Sequence, residues 1–343
     1  MKSKYRNDSA RMAGQLLKAA ARASEKGEKI FVFPHRSVDG DCVGSACSIA
    51  SILRGLGADA YVAMPEKLPE NMGFLNVEDL LAYPTLSPDD REFGIAVAVD
   101  CSEGNRMGQN EQLFDSCSDK LIIDHHASVK AKGENMWVMP EASSASELCY
   151  YVAVALAEET GRDISEIIDK RTAECLLTGV VTDTGRFTYR NTSPETLTVA
   201  GELMELGADV AIICYYLFDR KMPNEFYISN AACSNAELFY DGKLAITAVP
   251  DEMFRQYNAG RDDIADVVSR LRDIDGVELA VVLREAEDGS VRGNLRSQET
   301  FDCSKFAGIY GGGGHVRAAG FTVTGRDMTE LKDEIIARVK DLL

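Results

Sequence analysis

Apolar positions recur along this chain with two different spacings, and the change from one to the other divides it. From Ser9 to Lys26 an Ala-rich stretch places apolar residues at helical intervals and stops at Gly27, which predicts an amphipathic helix. Ile30-Phe31-Val32-Phe33-Pro34 is then a continuous apolar run of strand length, and Ala60–Met64, Ile95–Val99 and Lys120–Ile123 repeat it. A helix from about Gly44 to Leu56, capped by Gly57, separates the first two runs. Residues 66–94 mix Pro, Asp and Glu and read as loop with a helical turn. Continuous apolar strands alternating with helices predict a mostly parallel sheet with helices on both faces. Three helices follow: Ser146–Glu159 closing at Gly161, Thr172–Val181, and Pro194–Leu206 capped by Gly207. Residues 208–230 read as a helical connector with Pro223 as a breaker.

From Ala236 onward hairpins replace the alternation. Glu237–Tyr240 and Lys243–Val249 flank Asp241-Gly242, a pair suited to a type I′ turn, and Glu278–Glu285 and Val291–Arg296 flank Asp288-Gly289. A helix over Asp262–Ile274 lies between them and another, Met328–Leu342, follows. The chain therefore reads as α/β, with an N-terminal domain over 1–190, a helical connector over 191–230 and a smaller mixed α/β domain over 231–343.

Composition narrows the function. A length of 343 residues with 45% apolar content suits two domains, each with its own core. No apolar run approaches the about 20 residues of a membrane span. Met1–Arg6 is charged and leads into an amphipathic stretch, so no signal peptide is read. Nine cysteines without CxxC pairs suggest reduced thiols, hence a cytoplasmic protein. The net charge of −18, from 37 basic and 55 acidic residues, argues against binding long nucleic acid. It leaves room for a small anion held where metal ions and a few arginines set the local field.

The chemistry sits at element ends. Only four histidines occur, and two of them close the run Leu121-Ile122-Ile123-Asp124-His125-His126. His35, Asp39 and Asp41 follow the first strand, Asp100 follows the third, and Asp183 follows the Thr172–Val181 helix. Imidazole and carboxylate are the ligands of divalent cations, and ligands in open α/β sheets collect at strand C-termini. Taken singly, the His35–Asp41 stretch is also turn chemistry, and Asp100 and Asp183 are also helix caps. Together four carboxylates without counter-charge would repel one another, and two cations sharing one carboxylate remove that cost.

Gly311 to Gly314 lead into His315, and Arg296-Ser297 ends the strand from Val291. Consecutive glycines are explained by positive φ or by close backbone approach, and as a bare run they are equally a flexible turn. Exposed amides beside an arginine and a histidine suit a terminal phosphate. Arg106 is a further phosphate candidate, equally a solvated loop arginine.

His35-x3-Asp39-x-Asp41-x2-Gly44-Ser45, Asp100, Asp124-His125-His126 and Asp183 resemble the successive motifs of the DHH phosphoesterase family. Gly311–His315 with Ala318-Ala319-Gly320, and Gly293–Ser297, resemble its DHH-associated substrate domain. The match runs over about 30–325 and looks most like the NrnA-type oligoribonucleases, which degrade very short RNA and dephosphorylate 3′-phosphoadenosine 5′-phosphate. Val38 and Arg186 depart from the usual pattern without touching a ligand position.

This resemblance implies two divalent ions, manganese first, with cobalt or magnesium as alternatives. His35, Asp39 and Asp100 would hold one ion, and Asp41, Asp100, His125 and Asp183 the other, for attack by an activated hydroxide. Asp124 would orient its neighbours and His126 would face the scissile phosphate. Arg296, Ser297, Gly312, Gly313, Gly314, His315 and Arg106 would bind substrate. A short RNA or nucleotide substrate gripped at its far end, and a homodimer, are expected. The alternatives are a soluble cyclic-dinucleotide phosphodiesterase and a non-catalytic nucleotide-binding module.

Overall fold

The computed structural model describes residues 3–83, 93–126 and 133–343. It forms two compact units, Met1–Arg220 and Lys221–Leu343.

The first unit is built on a six-stranded, all-parallel sheet: β1 Lys29–Phe33, β2 Asp59–Ala63, β3 Leu81–Ala82, β4 Phe93–Val99, β5 Asp119–Asp124 and β6 Met136–Val138. Its order is β3-β2-β1-β4-β5-β6. The continuous apolar runs are explained by burial on both faces. Ile30, Val32, Val97 and Val99 pack in one core with the Ser3–Lys26, Gly40–Gly55, Ala145–Thr160 and Lys170–Asp183 helices, while Phe31, Phe33, Ala96 and Ala98 pack in another with Leu113 and Phe114. The chain winds outward from β1 in one direction and resumes beside it with β4, so the mouth between β1 and β4 is the topological switch point where such sheets bind ligands.

The second unit carries a mixed sheet of order β11-β12-β10-β9-β8-β7. Its strands are β7 Glu237–Phe239, β8 Leu244–Val249, β9 Leu279–Glu285, β10 Val291–Ser297, β11 Gly313–His315 and β12 Ala318–Val323. Only β8 and β9 pair in parallel. One face packs Leu279, Val281, Leu295 and Phe321 against the Cys303–Gly308 and Met328–Val339 helices. The other packs Ala280 and Val282 against the Pro223–Ser234, Asp251–Tyr257 and Val267–Arg272 helices.

Several sequence expectations change here. Pro223 opens a helix, Pro223–Ser234, because a proline in the first turn needs no N–H donor. The connector also contains a Val210–Cys214 helix and a π turn at Tyr215–Asp219. The expected Asp262–Ile274 helix divides into a 3-10 turn, Arg261–Ile264, and a helix, Val267–Arg272. Its acids bond outward instead: Asp266 accepts from the Ser229 hydroxyl and Asp263 from the Gly260 N–H and the Asn224 amide. The Asp241-Gly242 turn forms, but Tyr240 also takes positive φ, ending β7 at Phe239 and aiming its hydroxyl at the Ile336 carbonyl 2.5 Å away. Of the stretch read as loop, residues 66–94, two 3-10 turns and β3 are seen, and residues 84–92 lie outside the described residues.

Candidate metal centre

Each acid and imidazole named above from the first unit reaches the cluster by its own route. His35 stands two residues past β1 and is buried. Asp39 caps the Gly40–Gly55 helix, with Oδ1 accepting from the Cys42 N–H at 3.0 Å, and it still presents Oδ2 to His35 Nε2 at 3.4 Å. The cap reading and the ligand reading of Asp39 are thus compatible. Asp41 is fully buried in the same helix's first turn, where its oxygens accept from the Ala145 and Ser146 N–H groups at 2.7 and 2.9 Å. Those amides open the Ala145–Thr160 helix, whose cap is Ser144, so a helix N-terminus holds the carboxylate.

Asp183 ends the Lys170–Asp183 helix, a terminus that disfavours an anion. Two glycines let that helix approach. A Cβ at Gly44 would overlap the Cys175 carbonyl, and one at Gly179 would overlap the Ser146 hydroxyl and Asp41 Oδ1. Asp100 follows β4 with φ +54, a left-handed conformation that few side chains adopt and that turns its carboxylate out of the strand line.

The result is a division of Asp100 between two groups. Its Oδ2 lies 3.2 Å from His35 Nε2, and its Oδ1 lies 3.3 Å from both His125 Nε2 and His126 Nδ1. His125 Nε2 is also 3.1 Å from Asp183 and 3.7 Å from Asp41. The six residues assigned from sequence to metal binding are therefore brought together, with Asp100 between two sets.

Electrostatics fits a cation-binding role. Burial pushes the Asp41 and Asp183 carboxyls up, Asp100 adds to the rise at both, and His125 opposes it. Burial alone would depress the imidazoles, yet Asp100 and Asp39 lift His35 to about 9, and Asp100, Asp183 and Asp41 lift His125 to about 11. In this arrangement protons on the histidines carry the charge that divalent ions would otherwise carry. Asp100 Oδ1 and His35 Nδ1 are buried without a hydrogen bond. An all-nitrogen-and-oxygen donor set with an unsatisfied carboxylate oxygen fits divalent cations of the manganese, cobalt and magnesium kind. Cys42 stands beside His35 and Asp39, but burial holds its thiol protonated.

Asp124 and His126 form a separate arrangement. Asp124 is fully buried; its Oδ1 accepts from His126 Nδ1 at 2.8 Å and the His126 N–H at 3.0 Å, and its Oδ2 accepts from the Ser102 hydroxyl. Burial would raise the Asp124 carboxyl, but these bonds hold it below the usual carboxylate range. The carboxylate acceptor places the proton on His126 Nδ1 and leaves Nε2 for a ligand.

Ser102 and the Ala145–Ser146 amides were missed in the sequence. The Ser144-x-x-Glu147 pattern before an apolar run signals that N-terminus, whereas nothing local marks Ser102. Arg106 ends a 3-10 turn, Gly104–Arg106, whose Arg106 carbonyl accepts from the Arg36 N–H, and no hydrogen bond joins its guanidinium to the cluster among the described residues.

In the second unit, Arg296 lies on β10 beside Ala318, and His315 is exposed on the edge strand β11, also beside Ala318. Gly312 and Gly314 are required by close approach, since a Cβ at either would strike β12. Gly313 belongs to β11. The buried Ser297 hydroxyl bonds the Phe301 carbonyl at 2.8 Å, which commits it to the following loop.

The model of the DHH family N-terminal domain matches residues 29–180, and that of the DHHA1 domain matches 241–343. The chain is 30% identical to the bifunctional oligoribonuclease and PAP phosphatase NrnA of Thermus thermophilus over 92% of its own length and 90% of the relative. The chain belongs to the DHH family. A protein of the same name from Bacillus subtilis is 27% identical, covering 92% of this chain and 95% of the relative. The fold is similar to that of an exopolyphosphatase-related protein from Bacteroides fragilis, with a TM-score of 0.79, 23% identity and coverage of 96% of this chain and 97% of that one.

Proposed function

We propose that this DHH-family chain is a metal-dependent phosphoesterase that hydrolyses very short oligoribonucleotides, including linear dinucleotides such as pGpG or pApA, and 3′-phosphoadenosine 5′-phosphate. The observation that carries this reading is Asp100, whose two buried oxygens face two different imidazole–carboxylate sets. Two relatives whose names state oligoribonuclease and PAP phosphatase activity match over nearly their whole length.

In this reading His35, Asp39 and Asp100 hold one divalent ion, and Asp41, Asp100, His125 and Asp183 hold a second. The ions, manganese in the first instance, supply an activated water and neutralise phosphate charge. The chain's own residues do the rest. Asp124 accepts from His126 Nδ1–H so that Nε2 faces the scissile phosphate; as an imidazolium, protonated on both nitrogens, His126 would give its Nε2 proton to the leaving oxygen and keep the one on Nδ1, and Ser102 keeps Asp124 in place. Arg296, His315 and the backbone of Gly312–Gly314 bind the substrate's terminal phosphate. A cytoplasmic setting is part of this reading; no described helix is long and apolar enough to cross a membrane. A homodimer completes the reading and is tested by light scattering against the chain mass of 37.4 kDa.

The test is hydrolysis of one panel with manganese, cobalt or magnesium: 5′-phosphorylated RNA dimers, a long RNA, 3′-phosphoadenosine 5′-phosphate, a cyclic dinucleotide and pyrophosphate. Fast turnover of dimers and the bisphosphate with little action on the long strand is expected. Preference for the cyclic dinucleotide would replace this reading with a cyclic-dinucleotide phosphodiesterase. Metal binding without turnover of any substrate would replace it with a binding module.

A further inference from the structure

One face of the second unit's sheet carries a row of cations that a single terminal phosphate does not use. Alternate residues of a strand share a face, so Arg292, Asn294 and Arg296 stand together on β10. Their face is the one that packs, farther along, against the Val267–Arg272 helix through Ala280 and Val282 of β9. Over β10, β12 and β11 that face bears Ala318, Gly320, Thr322, Gly313 and His315 beside the β10 row, with no acid among them. The small residues leave a floor: the Asn294 side-chain oxygen lies over Gly320, close to where a Cβ would be.

Arg292 pairs directly across the strands with Arg284. Like charges directly opposite in a sheet are destabilising, so this juxtaposition calls for an anion. Arg284 is largely covered; it donates to the Arg261 carbonyl and lies 3.7 Å from Asp262, and its Nε is buried without a partner. Arg292 is exposed and has no carboxylate within 4.0 Å among the described residues. The acid it influences, Asp288 at the hairpin tip, is already bonded to the Ser290 N–H and hydroxyl. Arg296 likewise has no carboxylate partner among the described residues, its Nη1 donating only to the Leu295 carbonyl. In a chain with 55 acidic and 37 basic residues, such a row is not a sample of the average surface.

We propose that Asn294 and Arg292, backed by Arg284, form a second phosphate position beyond the Arg296–His315 anchor, so that this unit binds the backbone of a short single-stranded oligonucleotide along β10. This rests on the function proposed above and deepens it. Strand geometry separates Arg292 from Arg296 by about 13 Å, about two phosphate-to-phosphate steps of an extended single strand, so that a 5′-phosphorylated trimer reaches both positions and a dimer does not. Asn294, between them, offers an amide to the intervening sugar or base. The unit then senses chain length within itself, favouring trimers over dimers in binding.

The test is equilibrium binding of 5′-phosphorylated RNA dimers and trimers to the full chain with chelator present, by competition anisotropy, for wild type, Arg292→Ala and Arg292→Lys. Loss of one charged contact predicts about tenfold weaker trimer binding in Arg292→Ala, a much smaller loss for dimers, and partial recovery in Arg292→Lys. The dependence of log affinity on log salt should fall by about 0.7 for the trimer, one phosphate contact on a single strand. Equal losses for dimer and trimer, or none, would overturn the second position. Tripolyphosphate displacing the trimer at equal concentration would overturn the oligonucleotide assignment in favour of a free polyanion. Because binding is read without turnover, a chain inactive on the substrate panel would sink the proposed function and still leave this result decisive.

Discussion

The two units handle charge in opposite ways. In the first, Asp41, Asp100 and Asp124 are buried at 0%, 2% and 0% exposure, fixed by helix amides, a left-handed backbone and a hydroxyl. The repulsion that Asp41 and Asp183 feel from Asp100 is what a bound cation would relieve. In the second, the arginines of β10 and His315 of β11 stand on a face of small residues, and the glycines are spent on strand contact. In the proposed reading, the buried cluster acts on the reacting atoms and the open arginine row on how long substrate stays bound. Substitutions in the first unit should therefore act on kcat and those in the second on KM.

The sharpest way to break this contrast is Asp100→Ala, which should eliminate turnover and lower bound metal measured by elemental analysis; retained metal would separate Asp100 from both ions. His126→Ala comes next, with metal content near normal and kcat down by about 10²–10⁴-fold. Lost metal would move His126 into the ligand set. Arg296→Ala should raise KM for substrates with a terminal phosphate by roughly ten- to hundredfold, the worth of a charge-assisted contact, with little change in kcat. A fall in kcat alone would blur the distinction between the units. Ser102→Ala, acting through Asp124, should cost roughly tenfold in kcat and leave KM and metal content alone.

The smallest effect concerns stability. A histidine whose folded pKa lies above its unfolded value binds more protons folded than unfolded. Its contribution is whole below the unfolded value and disappears as pH rises through the folded one. With His35 raised to about 9 and His125 to about 11, the metal-free chain should melt at progressively lower temperature from just above the ordinary histidine value upward. The raised Asp41 carboxyl acts in the same direction. Added manganese displaces those protons and should flatten the slope; an unchanged slope in a thermal-shift series would mean that the histidines do not face the ions.

Much of this was legible in the sequence because strand ends announce themselves. Apolar runs broken by His35, Asp100 and Asp124 located the sheet and its mouth together, and positional chemistry did the rest. What escaped depends on distance in sequence. Ser102 matters only through Asp124, and the amides on Asp41 come from about a hundred residues away. Asp263 and Asp266 broke an expected helix because Asn224 and Ser229 offered them partners that periodicity does not record. Pro223 was misread as an ending because the same residue that terminates a helix also starts one. Ser297 belongs to the family pattern, yet its hydroxyl is turned to the Phe301 carbonyl.

The left-handed backbone at Asp100 also limits how this protein can drift. Aspartate is among the few side chains that tolerate that conformation, asparagine and glycine being the other easy occupants. The demand of the fold and the demand of the chemistry thus select overlapping residues at one position. A descendant that abandoned catalysis would be released from the carboxylate but not from the turn. Its expected fossil is asparagine or glycine at 100, a signature by which inactive descendants of this fold could be told from active ones before any assay.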